Sequence, residues 1–326
     1  MKRRDFLSLI GGAAVAWPAA ARAQQANKVP KVGFLYPGPE AMAATRSAFL
    51  LDGLRSEGFH APDQVMLVSR AAGGDPARLA PLLNELVAVK VDVLVPVGPA
   101  ATRAARSATA SIPIVAADLE SDPIESGWLA SLAHPGGNLT GFFLDFSDFS
   151  TKWLELLREA VPGLASVVVL WDPATATIQT KAVAAAAKVL NIKIEIMEIR
   201  APGEIEAVLD AASRRRPDGL LFLSSPLFSA YDKQFADLTL KHRLPAIGLF
   251  STFPRAGGLM SYGPNVDALY RELGVMAGKV LKGIKPADLP AERPTRFELV
   301  VNLKAAKILN LNIPNSMLLL ADEVIE

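Results

Sequence analysis

Histidine occurs at three positions, His60, His134 and His242, far apart and in different local settings. Proton transfer, nucleophile activation and most metal binding lean on histidine, and this scatter supplies no local cluster for any of them. The patterns H-E-x-x-H, G-x-S-x-G and G-x-x-x-x-G-K-[ST] are absent. The first strand-like run is followed by Leu35-Tyr36-Pro37-Gly38-Pro39 instead of a G-x-G-x-x-G turn. Cysteine is absent altogether, which removes disulfides, thiol chemistry and cysteine-ligated metals. The sequence therefore predicts no cofactor, no metal and no enzyme activity, and its polar residues read as binding groups.

Those groups stand where strand-like runs end, which is where ligands bind in open α/β sheets. Tyr36 closes the first run, before Pro37-Gly38. After the run ending at Val97 comes Gly98-Pro99-Ala100-Ala101-Thr102. There Gly98 permits close approach, Ala101 lies in the first turn of a helix whose free amides suit a carboxylate, and Thr102 adds a hydroxyl. Asp118 sits at the next strand end, and Asp122 before Pro123 reads as a helix N-cap. Asp172 ends a strand in Trp171-Asp172-Pro173, placed to receive a ligand amine or to cap the next helix. Ser224, Ser225 and Phe250 occupy equivalent positions further on, while Phe142 and Tyr262 fall near the presumed crossings between lobes. Core packing is as good an account of Phe142, and a hinge role as good an account of Tyr262, as contact with a ligand.

The elements that must position these residues alternate. Strand-like runs are Lys31–Tyr36, Val65–Arg70, Val91–Val97 and Ile112–Ala117, then Ser166–Trp171, Ile192–Ile199, Gly219–Ser224 and Pro245–Leu249. Helical stretches lie between them, including Thr45–Glu57, Pro76–Val89, Ala100–Thr109, Trp153–Ala160 and Thr175–Leu190. Several strands are apolar almost throughout, as expected where helices cover both faces of a parallel sheet. The series occurs twice, which predicts two Rossmann-like doubly wound α/β lobes joined by a multi-strand hinge, with a ligand cleft between them. Expected boundaries are 30–141 plus about 263–296 for the N-terminal lobe. The C-terminal lobe takes 142–262 plus about 297–326.

Residues 1–23 read as a signal peptide. Lys2-Arg3-Arg4-Asp5 precedes an apolar run to Ala21, and Ala21-Arg22-Ala23 has the small-residue form of a cleavage site. Arg3-Arg4 followed by Phe6-Leu7 is similar to a twin-arginine signal, which exports folded protein. Cleavage after Ala23 and residence in the periplasm are the expectation. Removing four basic residues and one acidic residue from 34 and 33 leaves 30 and 32, a net charge of −2. Such a chain carries no broad basic field for nucleic acid.

Several segments together carry a family resemblance. They are Asp122-Pro123, Leu132-Ala133-His134-Pro135-Gly136-Gly137-Asn138-Leu139-Thr140-Gly141, Leu244-Pro245-Ala246, Gly257-Gly258-Leu259-Met260-Ser261-Tyr262-Gly263, and the tail Leu303-Lys304-Ala305-Ala306 with Leu311-Asn312-Ile313-Pro314. In order and spacing this resembles the ABC transporter substrate-binding family of the tryptophan/tyrosine-binding type, from about Lys31 to Glu326. The resemblance implies a class I periplasmic-binding-protein fold that closes on a small organic ligand, an amino acid or an aromatic or aliphatic carboxylate. It implies delivery to an ABC permease and ATPase complex at the inner membrane, with the binding protein a monomer. A periplasmic α/β enzyme and a ligand-sensing subunit of a membrane receptor are the alternatives.

Overall fold

In the computed structural model, residues 29–144 and 146–326 are described; the signal segment 1–23 lies outside the described residues. The most apolar, β-branched runs form inner strands buried on both faces, and the more polar runs form part-exposed edge strands. β1 (Lys31–Tyr36), β2 (Met66–Ala71), β3 (Val93–Pro96), β4 (Ile114–Asp118) and β5 (Leu139–Phe143) make a wholly parallel sheet in the order β2-β1-β3-β4-β5. Helices α1 (Glu40–Ser56), α2 (Leu79–Ala88) and α3 (Gly98–Ala108) connect them.

The second sheet repeats that winding. β6 (Ser166–Trp171), β7 (Lys193–Glu198), β8 (Gly219–Phe222), β9 (Ala246–Gly248) and β10 (Met260–Pro264) stand in the order β7-β6-β8-β9-β10. β11 (Phe297–Asn302) then adds antiparallel to β10, and β12 (Glu323–Ile325) pairs parallel with β11 at the edge. Around this sheet lie α4 (Phe146–Ala160), α5 (Ile178–Leu190), α6 (Ile205–Arg214), α7 (Pro226–Ala230), α8 (Asp232–Lys241) and α9 (Thr252–Arg255). α10 (Val266–Leu281), although it follows β10, packs on α1 and on the first sheet; α11 (Leu303–Ile308) and α12 (Asn315–Leu320) return to the second.

The chain thus passes between the sheets after β5, after β10, and again before β11. At the last passage Glu292 bonds alongside β5, its amide donating to Gly141 O at 2.9 Å. α1 and α10 meet where neither has a side chain. A Cβ on Gly53 would lie 1.9 Å from Arg271 O, and one on Gly274 would lie 2.1 Å from Leu50 O. One continuous core runs through both lobes beneath α1, α10, α4 and α5, while α2/α3 and α6/α8 cover separate apolar layers. No helix among the described residues is long and apolar enough to cross a membrane.

Three local expectations need correction. α1 begins at Glu40 instead of Thr45, because Pro39 is extended at the N-cap and Glu40 puts a negative charge at the helix start. α4 begins at Phe146 instead of Trp153, since Phe146, Phe149 and Trp153 share one buried helical stripe. Asp122 caps a turn, not a helix: its Oδ1 accepts from Ile124 N at 2.7 Å and Glu125 N at 2.9 Å.

Candidate ligand cleft

Each lobe has the strand order 2-1-3-4-5, whose switch point lies between its first and third strands. In the first lobe the carboxyl ends there carry Tyr36 and, after β3, Val97-Gly98. In the second they carry Asp172 and, after β8, Ser224-Ser225. The two switch points face each other across a cleft.

A small cavity lies at its heart, walled from the first lobe by Tyr36, Arg46, Gly98 and Glu120 and from the second by Pro226 and Phe250. Tyr270, from α10, adds a second phenol. The Arg46 guanidinium lies 5.5 Å from the centre of the Tyr270 ring and 3.6 Å from Asp267. Burial raises the Tyr36 hydroxyl pKa, with the charge and hydrogen bond of Arg46 opposing. Gly98 opens α3 with φ +79°, and a Cβ there would come 3.1 Å from Pro226 Cγ, so the lobes touch across a residue without a side chain.

A direct hydrogen bond joins the lobes: Ser224 Oγ donates to Glu120 Oε1 at 2.6 Å. Glu120 is only 4% exposed. Burial, reinforced by the nearby charges of Asp118 and Asp172, pushes its carboxyl up to about 8. Burial likewise carries Asp118 up to about 6 and Asp232 to about 7. Gln179 braces the Ser224 backbone at both ends, accepting from its amide at 2.8 Å and donating to its carbonyl at 3.0 Å.

The residues expected from the sequence therefore divide. Tyr36, Gly98 and Phe250 line the inner cavity. Ser224 enters through its bond to Glu120. Asp172 borders the outer part of the cleft with both oxygens engaged, Oδ1 accepting from Ala174 N at 2.8 Å and Oδ2 from Ser225 Oγ at 2.6 Å. Ser225 Oγ also accepts from Leu227 N at 3.0 Å, capping α7. Thr102 is buried and donates back to Gly98 O at 2.8 Å, and Ala101 packs beneath the sheet. Asp118 is fully buried and accepts from Glu120 N at 3.1 Å. Phe142 lies in the core beside the last crossing. Tyr262 stacks in a cluster with Phe149 and Phe297, in a groove separate from the inner cavity.

Arg46 and Glu120, the charged residues of the inner wall, were not among the residues expected from the sequence. Among the described residues no group of three or more His, Asp or Glu is arranged to hold a metal.

The sequence pattern of ABC transporter substrate binding proteins matches residues 38–325. The chain belongs to that family. A tyrosine-binding protein of Clostridioides difficile (strain R20291) is 24% identical over 286 residues, covering 84% of this chain and 79% of the relative. The substrate-binding fold matches an ABC domain from Streptococcus pneumonia, solved with L-Trp, at TM-score 0.84 and 25% identity, over 91% of this chain and 100% of that one. A ligand-free, open substrate binding protein from Clostridium difficile matches at TM-score 0.67 and 22% identity, over 91% of this chain and 99% of that one. The protein is thus a substrate-binding protein of an ABC transporter, of a family and fold that bind solutes.

Proposed function

We propose that this protein captures an aromatic or aliphatic amino acid or a related carboxylate between its lobes, closes over it, and presents the closed form to an ABC permease and ATPase. The observation that carries this reading is the inner cavity. Its walls come from both lobes, its strongest polar groups are the Arg46 guanidinium and the Glu120 carboxyl, and its remaining surface is largely aromatic and apolar. Tyr36, Gly98 and Phe250 contact the ligand body. Glu120 holds an amine, and Arg46 a carboxylate. Higher similarity to the L-Trp complex than to the open structure supports a closed arrangement of the lobes here. Ligand contacts made from both lobes exist together only in the closed state, so binding and closure are coupled.

In this reading residues 1–23 direct export, with cleavage after Ala23, by the twin-arginine route. The mature protein acts in the periplasm as a monomer and returns its ligand chemically unchanged. The lobes comprise 30 to about 144 plus about 265–296, and about 146–264 plus about 297–326, each boundary two or three residues beyond the one expected from the sequence so that β5 and β10 stay whole.

A thermal-shift panel of amino acids and carboxylates, followed by calorimetry, tests this. Ligand at a hundred times its Kd stabilises by about 2.7 kcal/mol. The expected result is one-to-one binding of an unchanged ligand, weakened by Arg46→Ala and by Glu120→Gln. Conversion of the ligand during the measurement would overturn the reading in favour of an enzyme.

A further inference from the structure

The cleft does not end at the inner cavity. A second, larger chamber opens outward, between α3 and the turn at Pro76 on one side and α7 with the Arg200–Pro202 segment on the other. The two spaces share Pro37, Val97, Gly98 and Pro226 as a common rim. Leu79, Ala100, Pro202 and Leu227 are typical of the outer walls.

The polar side chains that reach this chamber are already engaged. Both oxygens of Asp172 accept hydrogen bonds, as described above. Asp75 Oδ1 accepts from Ala77 N at 2.9 Å. Thr175 Oγ1 donates to Asp172 O at 2.7 Å and accepts from Trp171 Nε1 at 3.1 Å and Gln179 Nε2 at 3.0 Å. Arg200 pairs with Glu198. The Tyr231 phenol is the exception. The inner cavity sets the Arg46 guanidinium and the Glu120 carboxyl before a ligand, and the outer chamber offers it chiefly hydrocarbon.

We propose that the ligand is an elongated amphiphile: a zwitterionic head in the inner cavity against Glu120 and Arg46, and an aliphatic or aryl tail running past the Gly98–Pro226 rim into the outer chamber. The proposal rests on the reading of the cleft as a solute site. A single small amino acid fills only the inner space and leaves the outer apolar walls wet. A tail removes that surface from water, and each methylene buried there tightens binding roughly fourfold.

Calorimetry with the homologous series from 2-aminobutyrate to 2-aminododecanoate tests this directly, since the head is constant and only the tail grows. Affinity is expected to climb by roughly fourfold per methylene through the middle of the series. Ala100→Trp and Ala230→Trp, on opposite walls of the outer chamber, are expected to stop that climb while leaving 2-aminobutyrate affinity as in the unmodified protein. Circular dichroism melts establish that each variant is folded, and the series on the unmodified protein decides the question without them. Binding that peaks at the short members and weakens as the tail grows would overturn the two-chamber ligand while sparing the solute-binding role. Failure to bind any member of the series, together with L-Trp and L-Tyr, would overturn both.

Discussion

Glu120 makes the stability of this protein depend on pH in a way that one substitution isolates. Its carboxyl ordinarily titrates near 4.5, and in the cleft it is pushed up to about 8 by burial and then by the charge of Asp118. Between those two values the folded chain holds a proton that the unfolded chain has released. Stability therefore falls as pH rises through this window, and is flat in this group's contribution outside it. A full proton difference costs about 1.4 kcal/mol per pH unit. From pH 6 to pH 8, with the group part-titrated at the upper end, the loss is about 2 kcal/mol, or about 4–8 °C in Tm for lobes of this size. Asp118, raised to about 6, completes most of its own decline below this range. Asp232, raised to about 7, declines within it, in native and variant protein alike. Glu120→Gln keeps the shape and an oxygen for Ser224 but cannot titrate. Thermal melts of both proteins at pH 6 and pH 8 give the answer by difference. The native protein is expected to lose about 2 kcal/mol more than Glu120→Gln, and saturating amine-bearing ligand, which favours the ionised carboxylate, is expected to shrink that gap. Equal slopes in the two proteins would refute the burial of Glu120 as described.

Ser224→Ala removes a hydrogen bond that exists only while the lobes are together. With Glu120 protonated near neutral pH, about 0.5–1.5 kcal/mol is lost, so calorimetry should show ligand affinity falling by roughly two- to twelvefold; unchanged affinity would mean the bond plays no part in closure. Asp172→Ala strands the buried Ser225 hydroxyl and removes the acceptor of the Ala174 amide. Tm is expected to fall by an amount corresponding to about 1–3 kcal/mol, with the affinity for a short amino acid little altered; a large affinity loss without a Tm change would place Asp172 on the ligand itself. Gly274→Ala puts a methyl 2.1 Å from Leu50 O and forces α10 away from α1. Overpacking of this kind costs about 1–3 kcal/mol, and denaturant unfolding with an unchanged midpoint would contradict the close helix contact.

The fold was legible because its inner strands are short β-branched runs buried on both faces, and such runs declare themselves without reference to the rest of the chain. β5 did not, because Thr140 and Gly141 interrupt its apolar character. Both have tertiary reasons to be there: Thr140 Oγ1 donates to Leu289 O at 2.8 Å, and a Cβ on Gly141 would lie 2.0 Å from Ala116 O. The three-residue β12 was too short to read, and the first turns of α1 and α4 lack a sequence signal of their own. The site was legible only in part, for a geometric reason. Strand ends locate the cleft, which is how Tyr36, Gly98 and Phe250 came to hand. They do not say which side of a strand end faces it. On β4 the alternation of side chains sets Ile114 and Ala116 toward α3, and Ala117 and Leu119 toward the inner cavity. Asp118 shares the parity of the first pair, so a count of two along the strand already argues against it as an inner-wall residue. Glu120 reaches the cavity only because the chain turns after β4, and no periodicity carries that information. Arg46 is harder still. It sits within a helix among residues of ordinary type, and what singles it out is α10, which brings Tyr270 and Asp267 to it from more than two hundred residues away. A charged pair assembled by a loop and by a helix that crosses back from the second lobe is written in the fold, and only the fold can reveal it.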